Sequence, residues 1–155
     1  MHFRFLPVTL AVAVALPAAF ALAQGADGVA ERQELMKSIG SDTRAIAGHV
    51  RGERELSAGE IAEHAGQIAD AAARIPDAFG DEIHVGNAEG IETEATANIW
   101  ENWPTFTAKA ADLEEDARAL AEVANDADDA ALRASFGQMT RNCGACHDDF
   151  RQRQS

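Results

Sequence analysis

The chain has 155 residues, with 13 Lys and Arg against 26 Asp and Glu and a formal net charge of −13. A surface of that sign repels phosphate backbones and anionic lipid, which argues against nucleic-acid binding and peripheral membrane attachment. Low β-propensity, abundant alanine, no tyrosine and apolar residues recurring by three and four argue for an all-helical chain.

Arg4 makes the N-terminus positive, residues 5–20 are almost entirely apolar, and Ala21-Leu22-Ala23 offers a small-residue cleavage site before Gln24. Residues 1–23 therefore read as a secretory signal peptide. The apolar run is short of the roughly 20 residues needed to span a bilayer, and Pro7 and Pro17 interrupt it. Cleavage would leave residues 24–155, about 130 residues, enough for one domain with one core.

Four helices are expected in the mature chain. The first covers about 28–52, with Asp27 as N-cap and Val29, Met36, Ile39, Ile46 and Val50 on one stripe that Leu35 widens. Gly52 stands where that pattern stops. Ser57-Ala58-Gly59-Glu60 has the form of a capping box and opens the second helix, whose buried face is Ile61, Ala65, Ile68, Ala72 and Ile75 and which Pro76 ends.

Residues 76–92 are rich in glycine and acids and show no helical period. Phe79, Ile83, Val85 and Ile91 either fold this long connection over something apolar or belong to a solvated crossover. The third helix starts near Thr93 or Glu94. Its Ile99, Phe106, Leu113 and Leu120 repeat every seven residues, with Trp103, Ala110, Ala117 and Ala124 on the second seam. Pro104 is expected to kink it. After a break at Asn125 and Asp126, the last helix carries Leu132, Phe136, Met139, Cys143, Cys146 and Phe150 on one face.

Cys143-Gly144-Ala145-Cys146-His147 carries the chemistry. A Cys-x-x-Cys-His run on a helix sets two thiols and an imidazole on one face, so that both thiols can bond the vinyl groups of one haem and the imidazole can reach its iron. Three other readings weigh less. A thioredoxin-like pair needs a preceding strand, and a structural zinc site needs two further ligands, whereas His49, His64 and His84 lie far apart. A disulfide closed across two intervening residues would add little stability. Because the cysteines share the core seam of the last helix, an attached haem has to lie inside the bundle.

Beyond its motif, the chain resembles the class II c-type cytochromes, the cytochrome c′ family, over essentially all of residues 24–155. The resemblance rests on Cys143-Gly-Ala-Cys-His-Asp-Asp-Phe-Arg151, on Arg32-Gln-Glu-Leu-Met-Lys-Ser-Ile-Gly40 and on Thr93-Glu-Ala-Thr-Ala-Asn-Ile-Trp100. It implies a left-handed antiparallel four-helix bundle in the periplasm holding one covalent haem c through Cys143 and Cys146, with His147 as proximal iron ligand. Arg32, Gln33, Thr93 and Glu94 match family positions near the haem or its propionates, and Arg151 matches a basic residue on the proximal side. Pro104 departs from the family pattern.

Met36 matches the position facing the sixth coordination site. In the low-spin, cytochrome c556-like branch a methionine there binds the iron, which suits a one-electron carrier whose acidic surface would steer it to redox partners with a basic docking surface. In the high-spin branch the position only lines a distal pocket, and the iron takes nitric oxide or carbon monoxide. Met36 as a flexible core filler remains the plain alternative. The sequence reading favours the carrier, with Met36 as sixth ligand, and expects His49 and His64 to be exposed. A homodimer through the first two helices also occurs in the family. Enzymatic turnover is not expected, because no suitable acid–base group lies a helical turn from Met36.

Overall fold

The computed structural model describes residues 17–88, 90–126 and 128–153, with side chains from Gly25 onward. Residues 1–16 of the expected signal peptide lie outside these; residues 17–23 are helical and run unbroken into the first long helix.

That helix, α1 (Pro17–Val50), starts earlier than expected, and Asp27 lies inside it instead of capping it. Four of the six residues from Ala18 to Ala23 are alanine, the strongest helix former, and the helix continues through Asp27. Its other end falls at Gly52. The backbone there takes φ 73°. Gly52 N donates to His49 O and Glu53 N to Gly48 O, the paired bonds of a Schellman cap.

Helix α2 (Ala58–Ala73) opens on the anticipated capping box. Ser57 Oγ accepts from Glu60 N at 3.3 Å and Glu60 Oε2 accepts from Ser57 N at 2.8 Å. Replacing Ser57 with alanine removes the first of these bonds and should lower the midpoint of thermal unfolding by roughly 3–6 °C, readable by circular dichroism. All five residues expected on the buried face of α2 and its continuation are buried. Pro76 does end α2, yet it also sits in the first turn of a short helix, α3 (Ile75–Ala78), where its missing N–H costs nothing.

The third expected helix is divided. A single turn, α4 (Asn98–Glu101), precedes the long α5 (Trp103–Val123), and Pro104 occupies the first turn of α5. Pro104 therefore starts a helix and does not kink one, because it falls where amide donors are unpaired in any case. A 3₁₀ turn (Ala124–Asp126) leads to α6 (Asp129–Phe150), capped by Asp128, whose carboxylate accepts from Ala130 N at 2.9 Å and Ala131 N at 3.3 Å.

The four long helices α1, α2, α5 and α6 form a four-helix bundle. The short links 51–57 and 124–128 make the helices they join antiparallel neighbours. α2 packs extensively on α5, α5 on α6 and α1 on α2, while α1 and α6 meet only sparsely. Ile46, Ile68, Ile99, Leu120 and Met139 are the largest side chains wholly withdrawn from solvent. The heptad of the third helix is realised, with Ile99, Phe106, Leu113 and Leu120 all buried and Ala110, Ala117 and Ala124 beside them. His49 and His64, expected to be exposed, are half-buried and engaged. His49 Nδ1 accepts from Leu56 N at 3.2 Å, and His64 Nδ1 lies 2.9 Å from Asp42 Oδ1, joining α1 to α2.

Candidate haem-binding site

Cys143 and Cys146 lie one turn apart on α6, half-buried and packed against the core with Met36, Phe136, Trp100 and Trp103. The two are not joined to each other in a disulfide. Burial raises the pKa of each, that of Cys146 to about 11, with nearby Lys109 pulling the other way. His147 follows on the same helix at its exposed margin. Partial burial and, next, the Arg151 cation lower its pKa from the ordinary imidazole value. Among the described residues no three His, Cys, Asp or Glu side chains converge on one point.

The end of α6 is held from several directions. Lys109 Nζ on α5 pairs with Asp149 Oδ2 at 3.2 Å. Phe150 is buried, and its ring stands edge-on to Phe106 at 5.3 Å. Phe106 in turn packs on Phe79 at 5.1 Å and Trp103 at 5.5 Å, so one aromatic cluster joins the end of α6, the start of α5 and the connection after α3. Trp100 Nε1 donates to Phe79 O at 2.9 Å and its ring contacts His84 at 5.9 Å.

Arg32 is only 3% exposed. Its Nε donates to Ala78 O at 2.7 Å, Nη1 to Ile83 O at 2.9 Å, and Nη2 to Asp81 O. The guanidinium lies 4.7 Å from the ring centre of Phe79 and 5.5 Å from that of Trp100. Burial lowers its pKa, and the Asp81 carboxylate opposes that shift. Gln33, the next residue of α1, is exposed and donates from Nε2 to Glu92 O at 2.9 Å. Thr93 Oγ1 accepts from Ala95 N at 3.2 Å, and Glu94 pairs with Arg151, Nε to Oε2, at 2.5 Å.

The predicted residues thus fall into two groups. Met36, Cys143 and Cys146 flank the core from α1 and α6, with His147 at the exposed margin of α6, while Arg32, Gln33 and Glu94 tie the connection between α2 and α5 to its neighbours and Thr93 makes a local bond within it. That connection is not a plain solvated crossover. Phe79 is buried, Ile83 and Ile91 are half-buried against Gly25 of α1, and Val85 alone of the four apolar residues is exposed. Sequence reasoning passed over Lys109, Thr96 and Asn98, all of which meet the end of α6. The only local signal for any of them is Lys109, one of the two cations of α5 and the one close to its apolar N-terminal end.

The donor set suits a haem. Two unpaired thiols and an imidazole share one helix, apolar side chains adjoin them, and the two helices carrying Met36 and the cysteines are the loosest-packed neighbours of the bundle. A four-helix bundle with this motif closing its last helix defines a class II c-type cytochrome.

The comparisons agree with that class. The family profile described as cytochrome c′ matches residues 27–151. A cytochrome c′ of Rhodopseudomonas palustris is 33% identical over 147 residues, covering 95% of this chain and 96% of that protein. A cytochrome c-556 of Agrobacterium fabrum is 32% identical over 124 residues, covering 79% of this chain and 80% of that protein. Among solved structures, a carbon-monoxide-bound variant of the Alcaligenes xylosoxidans cytochrome c′ superposes with a TM-score of 0.73 at 25% identity, covering 84% of this chain and 98% of that one. Other variants of the same protein are solved as nitric oxide complexes. This chain belongs to the cytochrome c′ family. It is a monohaem c-type cytochrome and not an enzyme, with its haem bound through its two cysteines.

Proposed function

We propose that this protein is a five-coordinate, high-spin cytochrome c′ that binds carbon monoxide or nitric oxide, with His147 as the axial ligand and Met36 lining the opposite, distal side. The observation that carries this reading is the likeness to a cytochrome c′ solved with each of these gases. It departs from the carrier role favoured by the sequence. The place of Met36 supports it: half-buried on α1 between the buried Leu35 and Ile39, it suits an apolar pocket wall. When bound, the haem supplies an iron that can take a small neutral ligand in its sixth position. Arg32, Gln33, Thr93 and Glu94 serve the site by holding the 78–96 connection in place. Residues 1–23 direct export, and the protein works in the periplasm.

A second reading has its own support, in the cytochrome c-556 of Agrobacterium fabrum. There Met36 is the sixth ligand and the protein is an electron carrier, its acidic surface drawing it to basic redox partners. Optical spectra of the reduced holoprotein with and without carbon monoxide separate the two. The gas-binding reading expects a high-spin spectrum that shifts on adding the gas, and a Met36→Ala variant of unaltered spin state. A low-spin spectrum unresponsive to the gas, turned high-spin and responsive by Met36→Ala, would overturn it in favour of the carrier.

A further inference from the structure

Helix α6 ends without the left-handed glycine that commonly closes a helix. Its C-cap, Arg151, is extended at φ −111° and ψ 136°, and the groups of its last turn are met by a segment more than 50 residues away in sequence. Asn98 Nδ2 donates to Asp149 O at 2.9 Å. Thr96 donates twice to Phe150 O, from N at 3.1 Å and from Oγ1 at 3.0 Å. Gln152 N donates to Glu94 O at 2.7 Å, and the Glu94 carboxylate holds the Arg151 guanidinium through Nε and Nη2, both at 2.5 Å. Ala95 and Arg151 form an antiparallel bridge. Arg151 N closes on His147 O at 3.1 Å, so the turn fastened by this segment is the one that begins at His147.

We propose that residues 94–98 are a positioning latch for His147, in which Glu94, Thr96 and Asn98 fix the last turn of α6 and thereby the orientation of the His147 imidazole toward the haem iron. The physical warrant is that the last carbonyls of a helix have no partners within it and fray unless something outside satisfies them. His147 stands within that last turn. An axial imidazole owes its orientation to the groups that hold it, and its electronic effect on the metal follows that orientation. The latch is itself secured: Val85 N donates to Ala95 O at 2.9 Å, and Gln33 on α1 reaches Glu92 O at 2.9 Å. The connection therefore links the helix of Met36 to the turn of His147.

The proposal rests on His147 as the axial ligand, and the experiment keeps the two apart. The ferric holoprotein is examined for the hyperfine-shifted ring-proton resonances of its axial imidazole and for its midpoint potential. Glu94→Gln, which preserves shape and weakens the hold on the Arg151 guanidinium, should displace those resonances. Thr96→Val combined with Asn98→Ala should displace the imidazole resonances, whereas Thr96→Ser, which keeps the hydroxyl donor, should leave them as in the parent. Resonances unchanged in both Glu94→Gln and the double variant would overturn the latch, even if thermal stability falls or the potential moves, since a merely structural cap changes the former and a lost charge alone changes the latter. Should the double variant not fold, Glu94→Gln alone decides by the imidazole resonances. Failure of the axial assignment looks different: His147→Ala would then retain the parent's shifted resonances.

Discussion

Replacing Cys143 and Cys146 together with alanine is expected to abolish covalent haem attachment, leaving all pigment extractable into acidified organic solvent and none on the denatured polypeptide. Each single replacement should leave one thioether and shift the reduced absorption bands, because one vinyl group stays conjugated with the ring. The effect should be all-or-none for the pair, since no other cysteine exists in the chain. The fold bears on when the bonds form. A thiolate is the reactive form of cysteine, and in the packed helix burial raises both thiols, Cys146 to about 11, so that both are protonated at neutral pH. Denaturing electrophoresis with haem staining reads the result directly.

Much of the bundle was readable because its signals are local and periodic. The face of α2 and the heptad of the third helix follow from apolar spacing alone, and burial of Ile61, Ile68, Ile99, Phe106, Leu113 and Leu120 matches it. The cap at Ser57 and the stop at Gly52 are also local. What misled were residues with two uses. Proline inside an apolar pattern reads equally as a kink or as a first-turn residue, and only the break at Asn102, which sits at φ −123° and ψ 39°, decides for the second at Pro104. Asp27 is a good N-cap, but a cap works only where the preceding chain leaves the helix, and the alanine-rich segment before it does not.

At the site, the cysteines and the histidine were readable because one helical turn brings them together. Thr96 and Asn98 were not, since each does its work through a side-chain bond to a backbone carbonyl over 50 residues away, and no spacing rule reports such a bond. Glu94 and Arg151 were both singled out by family resemblance, yet their mutual pairing was not. Resemblance marks positions and leaves unstated which of them touch.

Arg32 shows what that distinction is worth, and it carries the largest expected loss of stability. Sequence reading set it beside the haem, with an ordinary solvated charge as the alternative; the solvated charge is excluded, since in the fold Arg32 is buried under the 78–83 segment with three donors engaged by main-chain carbonyls. Arg32→Ala leaves those three acceptors without the guanidinium and takes the cation from between Phe79 and Trp100. A hydrogen bond to a charged group is worth about 1.5–3 kcal/mol, but the exposed Asp81 end of the segment lets water replace part of the loss. A net destabilisation of about 2–4 kcal/mol is expected, measured by denaturant unfolding of the holoprotein. Arg32→Lys should recover less than half of it, because an ammonium cannot present the planar fork that meets Ala78, Asp81 and Ile83 at once. Full recovery by lysine would mean that charge alone matters at this position, and that the fork geometry does not hold the connection over the site.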